Sequence, residues 1–241
     1  MNNSPGVPNS TASTEDFEFE ALNEAKNYRN ALLREFAPYL KGNVLEVGAG
    51  IGQITEELRA RPDIKKLCAV EPDMNFCELI RKRLPDQLLI HGTIDDLKER
   101  SGWNAILSVN VLEHIEHDER ELKNYRELLA SANGTLCLFV PARPEIYAPI
   151  DRDFGHFRRY VRSELKGKIA AAGFSAIQIR YHNLVGYFGW WLVFCVLRKR
   201  AFERGSVRFF DRVIFPVMNW SETSISAPPI GQSLLVVAKA K

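Results

Sequence analysis

The sequence predicts an α/β fold built on a doubly wound, mostly parallel sheet. Short apolar runs typical of buried strands alternate with helical segments between residues 43 and 181. The first run, Val44–Val47, leads directly into a turn with glycines at positions 48, 50 and 52. Several later runs also end in glycines or polar side chains. Because ligands of such sheets bind at the carboxyl ends of the strands, these clusters predict one binding site along that edge.

The chain begins with a polar segment. Residues 1–15 are rich in Asn, Ser, Pro and Thr and have almost nothing to bury, which predicts a disordered tail. A helical pattern follows over Asp16–Leu40, with Pro38 and Gly42 near its end. Within this pattern Tyr28 could cover a bound cofactor, or the helix could simply pack on the edge of the sheet.

The other elements follow in regular alternation. The predicted strands are Val44–Val47, Leu67–Glu71, Leu88–Ile90, Trp103–Val109, Thr135–Val140, Phe174–Tyr181 and Gln232–Lys239. The predicted helices are Gln53–Arg61, Asp73–Leu84, Asp118–Ser131 and Ser163–Ala172. Asp73 and Ser163 are suitable N-cap residues, and Pro85 and Gly173 follow two of the helix ends. Residues 141–151 are rich in proline and are predicted to form a loop rather than a helix.

The turn after the first strand has the features of a nucleoside-binding site. Its glycines allow backbone to meet a ligand, and the helix that starts at Gln53 points free N–H groups into the turn. The pattern is Glu-x-Gly-x-Gly-x-Gly over residues 46–52, whereas the dinucleotide fingerprint requires a glycine where Gln53 stands. At the end of the second strand, Glu71 can accept two hydrogen bonds from a ribose diol.

These patterns resemble class I S-adenosylmethionine-dependent methyltransferases. The resemblance extends over about Ala25–Gly173 and includes Asn-Val-Leu-Glu-His-Ile at residues 110–115, a frequent form of the fourth motif in the small-molecule enzymes. It implies a Rossmann-like sheet of seven strands, in which the last strand lies antiparallel between the fifth and the sixth. It also implies S-adenosyl-L-methionine as the cofactor and methyl transfer as the reaction.

The resemblance assigns the cofactor contacts residue by residue. The implied cofactor-binding residues are Tyr28, Glu46, Gly48, Ala49, Gly50, Gly52, Glu71, Pro72, Thr93, Ile94, Asp95, Asn110 and Val111. Thr93, Ile94 and Asp95 would meet the adenine, although many family members carry aspartate where this chain has Thr93. Asp95 could instead be the N-cap of a short helical turn. Asn110 and the backbone at Val111 would hold the methionine end of the cofactor beside the reacting methyl group.

Nucleic-acid and metal chemistry are not expected. The nucleobase-amine methyltransferases carry an Asn/Asp-Pro-Pro-aromatic motif that this chain lacks, and its formal net charge of +2 gives no general nucleic-acid footprint. Some relatives bind a divalent ion through a Glu-x-x-Glu-His run, whose first glutamate would fall at Asn110. A match over Glu113, Glu116 and His117 is shifted by three residues. We therefore predict no metal and no nucleic-acid partner.

Residues 155–160 provide the candidates for proton transfer. Their sequence, Gly-His-Phe-Arg-Arg-Tyr, resembles a loop found in a bacterial branch of these methyltransferases. His156 is the first candidate for a general base, because imidazole exchanges protons near neutral pH. His114, within the fourth motif, is the second candidate, but it could also cap a helix or order water.

The same region provides candidates for acceptor binding. The predicted substrate contacts are Arg158, Arg159, Tyr160, Tyr147 and Trp190. Either arginine could bind a carboxylate or a phosphate. In an alternative interpretation, the two arginines pair with Asp151, Asp153 and Glu164, and the histidine of this loop has only a structural role.

The long insert before the last strand, residues 184–230, has an unusual composition. Leu184–Leu197 is apolar throughout but too short to span a bilayer. A run of basic residues begins at Arg198 and leads into an amphipathic stretch that is predicted to end at Pro216. Three interpretations remain open: a lid over a hydrophobic acceptor, a contact with a membrane surface, or a homodimer contact.

The predicted organisation is a methyltransferase core, residues 16–183 and 231–241, around this insert. The four cysteines are far apart, so buried free thiols in a reducing cytosol are expected, and no secretory leader pattern opens the chain. A cytoplasmic location, with membrane contact if the insert provides it, is the resulting expectation. The predicted function is methyl transfer to a small, hydrophobic or lipid- or glycan-linked acceptor. The alternatives are a nicotinamide-dependent oxidoreductase, which Gln53 disfavours, and a non-catalytic module that binds the cofactor.

Overall fold

The structure, a computed structural model, describes residues 24–200, 204–224 and 227–241. The predicted tail, residues 1–15, and the first part of the helix predicted over Asp16–Leu40 lie outside these residues. The strands are β1 (Gly42–Val47), β2 (Ile64–Glu71), β3 (Leu88–His91), β4 (Ala105–Val109), β5 (Thr135–Pro141), β6 (Phe174–His182) and β7 (Ser233–Ala240). The α-helices are α1 (Lys26–Phe36), α2 (Gln53–Arg59), α3 (Met74–Arg83), α4 (Asp118–Ala130), α5 (Pro149–Asp153), α6 (Arg162–Ala171), α7 (Leu184–Trp190), α8 (Arg204–Phe209) and α9 (Phe215–Ser224).

The strands form one mixed sheet in the order β3-β2-β1-β4-β5-β7-β6. The first five strands pair in parallel, whereas β7 runs antiparallel to both β5 and β6. The predicted position of the last strand is therefore confirmed. Because β1 has β2 on one side and β4 on the other, the loops that follow β1 and β4 diverge and leave a crevice at their carboxyl ends.

Alternate residues of the central strands face two separate hydrophobic layers. On one face Val44 belongs to the same core cluster as Leu32 and Phe36 of α1. On the other face Leu45 belongs to a cluster that includes Leu122 of α4 and Leu165 of α6. Because helices cover both faces of the sheet, its strand ends are the part that is left for ligand binding.

Residues 141–151 do not form an irregular loop, and the prediction was wrong there. The segment contains a 3-10 turn at Pro144–Ile146 and the start of α5, and each element has a proline at its first position. Proline lacks a backbone N–H, but the N–H groups of a first helical turn have no partner within the helix. A helix can therefore begin at proline without losing a hydrogen bond.

The insert forms two helical segments. In the first, α7 continues through a wider turn at Trp191–Val196, and the second runs from α8 through a similar turn at Phe210–Ile214 into α9. The second segment was predicted to end at Pro216, but it continues to Ser224. The N–H of Phe215 donates to the carbonyl of Phe210, five residues back, and a turn of this width makes room for the proline ring. Within the described ranges, no helix is long and apolar enough to cross a membrane.

All four cysteines are free. Cys68, Cys77 and Cys137 are buried, and Cys195 is partly exposed, so the expected burial holds for three of them. Burial raises the pKa of Cys68 to about 11, which keeps this thiol protonated and unreactive at neutral pH.

Candidate active site

A cavity of about 480 Å³ opens at the carboxyl ends of β1, β2 and β4. It occupies the crevice where the loops after β1 and β4 diverge. Nine of the predicted cofactor residues line it: Tyr28, Glu46, Gly48, Ala49, Gly50, Glu71, Pro72, Asn110 and Val111. The structure thus brings segments that are far apart in the sequence to one pocket of a size suited to a nucleoside-like ligand. We call it the cofactor cavity.

The three glycines after β1 have different structural tasks. Gly48, Gly50 and Gly52 have φ angles of 74°, 54° and 79°, which favour glycine. A β-carbon at Gly48 would overlap the side chain of Val111, so this glycine lets the loop after β4 approach the turn. A β-carbon at Gly52 would lie 2.9 Å from Cγ1 of Ile80. Gly52 lies outside the cavity wall and serves the close packing of α2 against α3, so its contact with the cofactor stays a prediction.

The carboxylate of Glu71 connects the second strand to the glycine turn. It is almost completely buried and lines the cofactor cavity. One oxygen accepts a hydrogen bond from the N–H of Gly50 at 2.7 Å, and the other accepts from the N–H of Asp73 at 2.9 Å. Each carboxylate oxygen can accept more than one hydrogen bond. Glu71 can therefore hold the turn and also accept bonds from a ribose diol.

Glu46 is a second buried carboxyl group in the same cavity. Burial raises the pKa of Glu46 to about 8, although the neighbouring Thr55 side chain opposes the rise, and the nearby charge of Glu71 adds to it. At neutral pH the side chain is therefore mostly protonated. A cationic ligand group beside it would favour the ionised form, so this position suits the positively charged end of a ligand.

The predicted adenine contacts at residues 93–95 lie outside the wall of the cofactor cavity. They form a 3-10 turn after β3, in which Oγ1 of Thr93 accepts a hydrogen bond from the N–H of Asp95 at 3.2 Å. The side chain of Ile94 is buried in the core. The N-cap of this turn is thus Thr93 and not Asp95, and the contact of this segment with adenine stays a prediction.

A second cavity, of about 170 Å³, lies beside the first. The two cavities share wall residues Ala25, Tyr28, Asn110 and Phe139. Asn110 adopts a φ of 53°, which asparagine tolerates better than most residues, and its N–H donates to the carbonyl of Phe139 at 2.8 Å. The end of β4 is therefore held at the junction of the two cavities. We call the second cavity the acceptor chamber.

One buried ionic network forms part of the wall of the acceptor chamber. Asp151 is fully buried, and its Oδ1 accepts a hydrogen bond from Nε of Arg159 at 2.8 Å and lies 3.1 Å from Nδ1 of His156. The guanidinium of Arg159 lies 4.4 Å from the centre of the Trp190 ring. Nε2 of His156 is buried and has no hydrogen-bond partner among the described residues. Since Asp151 holds Nδ1, Nε2 is the nitrogen that remains for a ligand.

His114 lines the cofactor cavity on the side of the acceptor chamber. Its ring packs edge-on against that of His156, with 4.6 Å between the ring centres. Although His114 is exposed to solvent on one side, its desolvation by the surrounding wall and the neighbouring His156 together lower the pKa of His114 to about 4. His114 is therefore neutral at pH 7 and is a weak proton acceptor.

Arg158, Tyr160 and Tyr147 line neither cavity, contrary to their prediction as substrate contacts. Arg158 pairs with Asp118 at 2.9 Å, and the hydroxyl of the fully buried Tyr160 donates to the same carboxylate at 2.9 Å. The hydroxyl of Tyr147 donates to the carbonyl of His156 at 2.7 Å. These side chains anchor the loop at residues 155–160. The alternative interpretation, pairing of the arginines with acids, is right for both, but only one of the acids, Asp151, was among those expected.

Glu113, His114 and His156 each bring one potential metal-ligand atom within 4.8 Å of the other two. This set differs from the shifted match over Glu113, Glu116 and His117. The charges of Glu113 and Arg159 interact favourably. The predicted absence of a metal stays a prediction for this cluster.

Sequence reasoning missed much of the acceptor chamber. The missed wall residues include Phe139, Phe154, Asn183, Phe210, Gln232 and Ser233. Ser233 pairs with Pro141 of β5 on one side and with His182 of β6 on the other. The predicted antiparallel position of the last strand was therefore a usable signal, because it brings the start of β7 to the edge where β5 and β6 end.

The mixed seven-stranded sheet, the glycine turn with its two buried carboxyl groups and the adjoining cavities define the fold of a class I S-adenosylmethionine-dependent methyltransferase. A family model described as a methyltransferase domain matches residues 21–179. The chain belongs to this family, and S-adenosylmethionine is its cofactor.

Solved structures share this fold at low sequence identity. A chain from the complex between the Haloferax volcanii Trm112 methyltransferase activator and the putative methyltransferase aligns with a TM-score of 0.62 at 15% identity, over 96% of this chain and 99% of that one. A putative sarcosine dimethylglycine methyltransferase from Galdieria sulphuraria gives 0.62 at 10% identity, over 95% and 98%. An S-adenosylmethionine-dependent methyltransferase from Mesorhizobium loti gives 0.56 at 14% identity, over 86% and 95%. A search of curated proteins found no significant match. The nicotinamide-dependent alternative is not favoured.

Proposed function

We propose that this methyltransferase acts on a hydroxyl group of a small hydrophobic or lipid- or glycan-linked acceptor that enters the acceptor chamber. The main observation in support is that the two cavities share a wall at Tyr28, Asn110 and Phe139. An acceptor in the chamber would meet the cofactor at this junction. When bound, S-adenosylmethionine supplies a methyl group already activated by its sulfonium, so no covalent enzyme intermediate is required. Alignment by the two cavities can lower the barrier by about 7–11 kcal/mol.

The walls of the acceptor chamber suit a mainly apolar acceptor with few polar groups. Its aromatic wall residues are Tyr28, Phe139, Phe154, Trp190 and Phe210. Its charged or basic wall residues are Glu113, His156 and Arg159, and further polar groups come from Tyr28, Asn110, Asn183, Gln232 and Ser233. In such cavities the apolar walls provide most of the affinity, and the polar groups orient the ligand.

His156 is the proposed general base. Asp151 holds Nδ1 of its ring, so Nε2 is directed away from that carboxylate and can receive the proton of the acceptor hydroxyl. Transfer of the methyl group to the acceptor oxygen would release S-adenosylhomocysteine, and the proton of the acceptor would pass to Nε2 of His156. Asp151 then stabilises the positive charge on the imidazole. Such a base contributes ~10²–10⁴-fold to the rate.

His114 is a poorer candidate for this role. Its pKa of about 4 makes it a weak base, and its ring contacts that of His156 edge-on. We assign it a positioning role, in which it limits rotation of the His156 ring at the junction of the two cavities.

The test is His156→Gln, assayed by transfer of tritiated methyl from S-adenosylmethionine to lipid and small-molecule extracts. The exposed His117 lies on neither cavity wall, so His117→Gln is the matched control. We expect His156→Gln to lose ~10²–10⁴-fold in turnover, while S-adenosylhomocysteine affinity and Tm stay near wild type. A parallel fall in Tm would show that the histidine is structural. Unchanged turnover would mean that the acceptor arrives deprotonated, and either result excludes the base assignment.

A further inference from the structure

The first helical segment of the insert, residues 184–197, has two apolar faces. Gly186, Trp190 and Phe194 are buried at a spacing of four residues, and Trp190 reaches the acceptor chamber. The exposed apolar side chains are Val185, Phe188, Trp191, Leu192, Val196 and Leu197. About half of the Phe188 and Trp191 side-chain surface is open to solvent, at 53% and 48%. The acceptor chamber accounts for the buried face but not for the exposed one.

The second helical segment, residues 204–224, presents a similar exposed stripe. It consists of Phe209, Val213, Val217 and Trp220, which are 58%, 52%, 70% and 62% exposed. Spacings of three and four residues place these side chains on one side of the helix. Other exposed apolar residues, such as Leu79 and Ile177, lie outside the insert. Together, the exposed apolar side chains of the two segments are named the insert surface.

Both acidic residues in the described part of the insert are buried. Asp211 accepts hydrogen bonds from the N–H groups of Asn27 and Tyr28, at 3.1 and 2.9 Å, in the first turn of α1. Glu222 accepts from the N–H of Asn183 at 3.0 Å, where α7 begins. These carboxylates thus satisfy N–H groups that a helix start leaves without internal partners. They attach the insert to the core and contribute no exposed negative charge.

The exposed charges of the described insert are basic. They belong to Arg198, Lys199, Arg200, Arg208 and Arg212. Arg208 pairs with Glu24 outside the insert, and Arg200 lies 3.8 Å from Asp153. Each of the two segments therefore exposes aromatic and aliphatic side chains and carries exposed positive charge.

We propose that the insert surface docks on the face of an anionic phospholipid bilayer. Tryptophan and phenylalanine favour the membrane interface, aliphatic side chains enter the acyl boundary, and arginine and lysine attract anionic headgroups. The first segment is too short to span a bilayer, so it lies on the membrane rather than across it. A second copy of this chain is a poorer match, because a symmetric contact would bring two basic segments together. A lid over the acceptor chamber does not account for this surface, because the chamber-facing side of α7 is the buried one.

The test uses the full chain and vesicles of phosphatidylcholine, with or without phosphatidylglycerol, in a sedimentation assay. Trp191→Ser combined with Trp220→Ser removes one exposed aromatic from each segment. The matched control is Leu79→Ser combined with Ile177→Ser. It removes two apolar side chains, 42% and 53% exposed, from the surface outside the insert. We expect the tryptophan variant to bind anionic vesicles at least about tenfold more weakly, and the control to bind like wild type.

The charge requirement is tested separately. Replacing Arg198, Lys199 and Arg200 by Glu should weaken binding to anionic vesicles by about fivefold or more per residue, with little effect on the remaining affinity for phosphatidylcholine. The control replaces three exposed lysines outside the insert, Lys65, Lys82 and Lys98, by Glu and makes the same change in net charge. Binding of the wild type should also weaken at high salt.

Docking is independent of the proposed methyl transfer, so every variant should bind S-adenosylhomocysteine like wild type. Failure of the wild type to sediment with anionic vesicles would overturn the proposal, as would equal losses in the tryptophan variant and its control. Light scattering tests the alternative that the insert surface mediates self-association. A concentration-dependent dimer that the tryptophan variant abolishes, without vesicle binding by the wild type, would assign the insert surface to self-association instead.

Discussion

The cofactor cavity and the acceptor chamber are neighbours, but they are built in opposite ways. The cofactor cavity depends on short stretches at strand ends, where glycine backbone and two buried carboxyl groups meet the ligand site. The acceptor chamber gathers single side chains from Ala25 to Ser233 and contains one buried ionic network. This difference shows that the cofactor cavity depends mainly on local backbone geometry, whereas the acceptor chamber depends on the packing of distant segments. Substitutions should therefore separate loss of cofactor binding from loss of stability.

The largest effect is expected from Gly50→Val in the cofactor cavity. Gly50 has a φ of 54°, lines the cavity and donates its N–H to Glu71. A β-branched residue strongly disfavours this φ, and its side chain would stand where backbone meets the ligand. We expect calorimetry to detect no binding of S-adenosylhomocysteine to a protein that still folds.

Gly102→Val is the control for backbone strain alone. Gly102 has a φ of 84°, and a β-carbon there would meet nothing within 4 Å. This variant should lose some stability and keep wild-type affinity. If Gly50→Val also kept wild-type affinity, the cofactor would have to bind elsewhere.

Asp151→Asn should have the largest effect on stability, and it lies on the acceptor side. Asp151 is fully buried between Arg159 and His156, so its neutralisation leaves the charge of Arg159 buried without its partner. Breaking a buried pair in this way lowers the free energy of unfolding by about 3–5 kcal/mol. Denaturant unfolding should show this loss, while the folded fraction binds S-adenosylhomocysteine normally.

Asp153→Asn, two residues away, is the matched control. Asp153 is partly exposed and lies 3.8 Å from Arg200, so its loss should change the free energy of unfolding by at most ~1 kcal/mol. Equal effects of the two variants would mean that the buried network does not stabilise the acceptor chamber.

A smaller loss is expected from Glu71→Ala, measured as cofactor affinity. Removing a carboxylate that accepts ribose hydroxyls should weaken binding by about 1.5–3 kcal/mol per charge-assisted bond at most. Because Glu71 also accepts from the N–H groups of Gly50 and Asp73, some loss of Tm should accompany it. A loss of affinity below threefold in calorimetry would exclude Glu71 as the ribose partner.

The most gradual effect, spread over several pH units, concerns Glu46 and pH. Burial raises its folded-state pKa to about 8 from an ordinary value of 4.5, so the native state holds a proton that the unfolded chain releases between these values. Its contribution to stability is complete below about pH 4.5 and is lost as pH rises through about 8. The slope is at most ~1.4 kcal/mol per pH unit. Glu46→Gln cannot ionise, so its Tm advantage over wild type should grow from pH 5 to pH 8. A constant difference would contradict the raised pKa.

The sequence by itself determined the strands of the sheet and most of the cofactor cavity, whereas the position of β7 was implied by the resemblance to a known family. The physical reason is that these features depend on residues that are contiguous in the sequence. Positive φ angles favour glycine, buried parallel strands favour apolar runs, and a carboxylate at a strand end lies beside the crevice at that edge of the sheet. Where local signals compete, prediction was weaker: Pro144 and Pro149 read as loop residues but begin short helices.

Only the tertiary structure decided the acceptor side. The sequence offers two adjacent arginines and many acidic partners, and nothing in their spacing shows that Arg158 pairs with Asp118 while Arg159 pairs with Asp151. The same holds for Trp190 and Trp191, of which one lines the chamber and the other faces solvent. Such choices depend on which distant segments pack together, because adjacent side chains of similar chemistry differ only in the surroundings that the folded chain gives them.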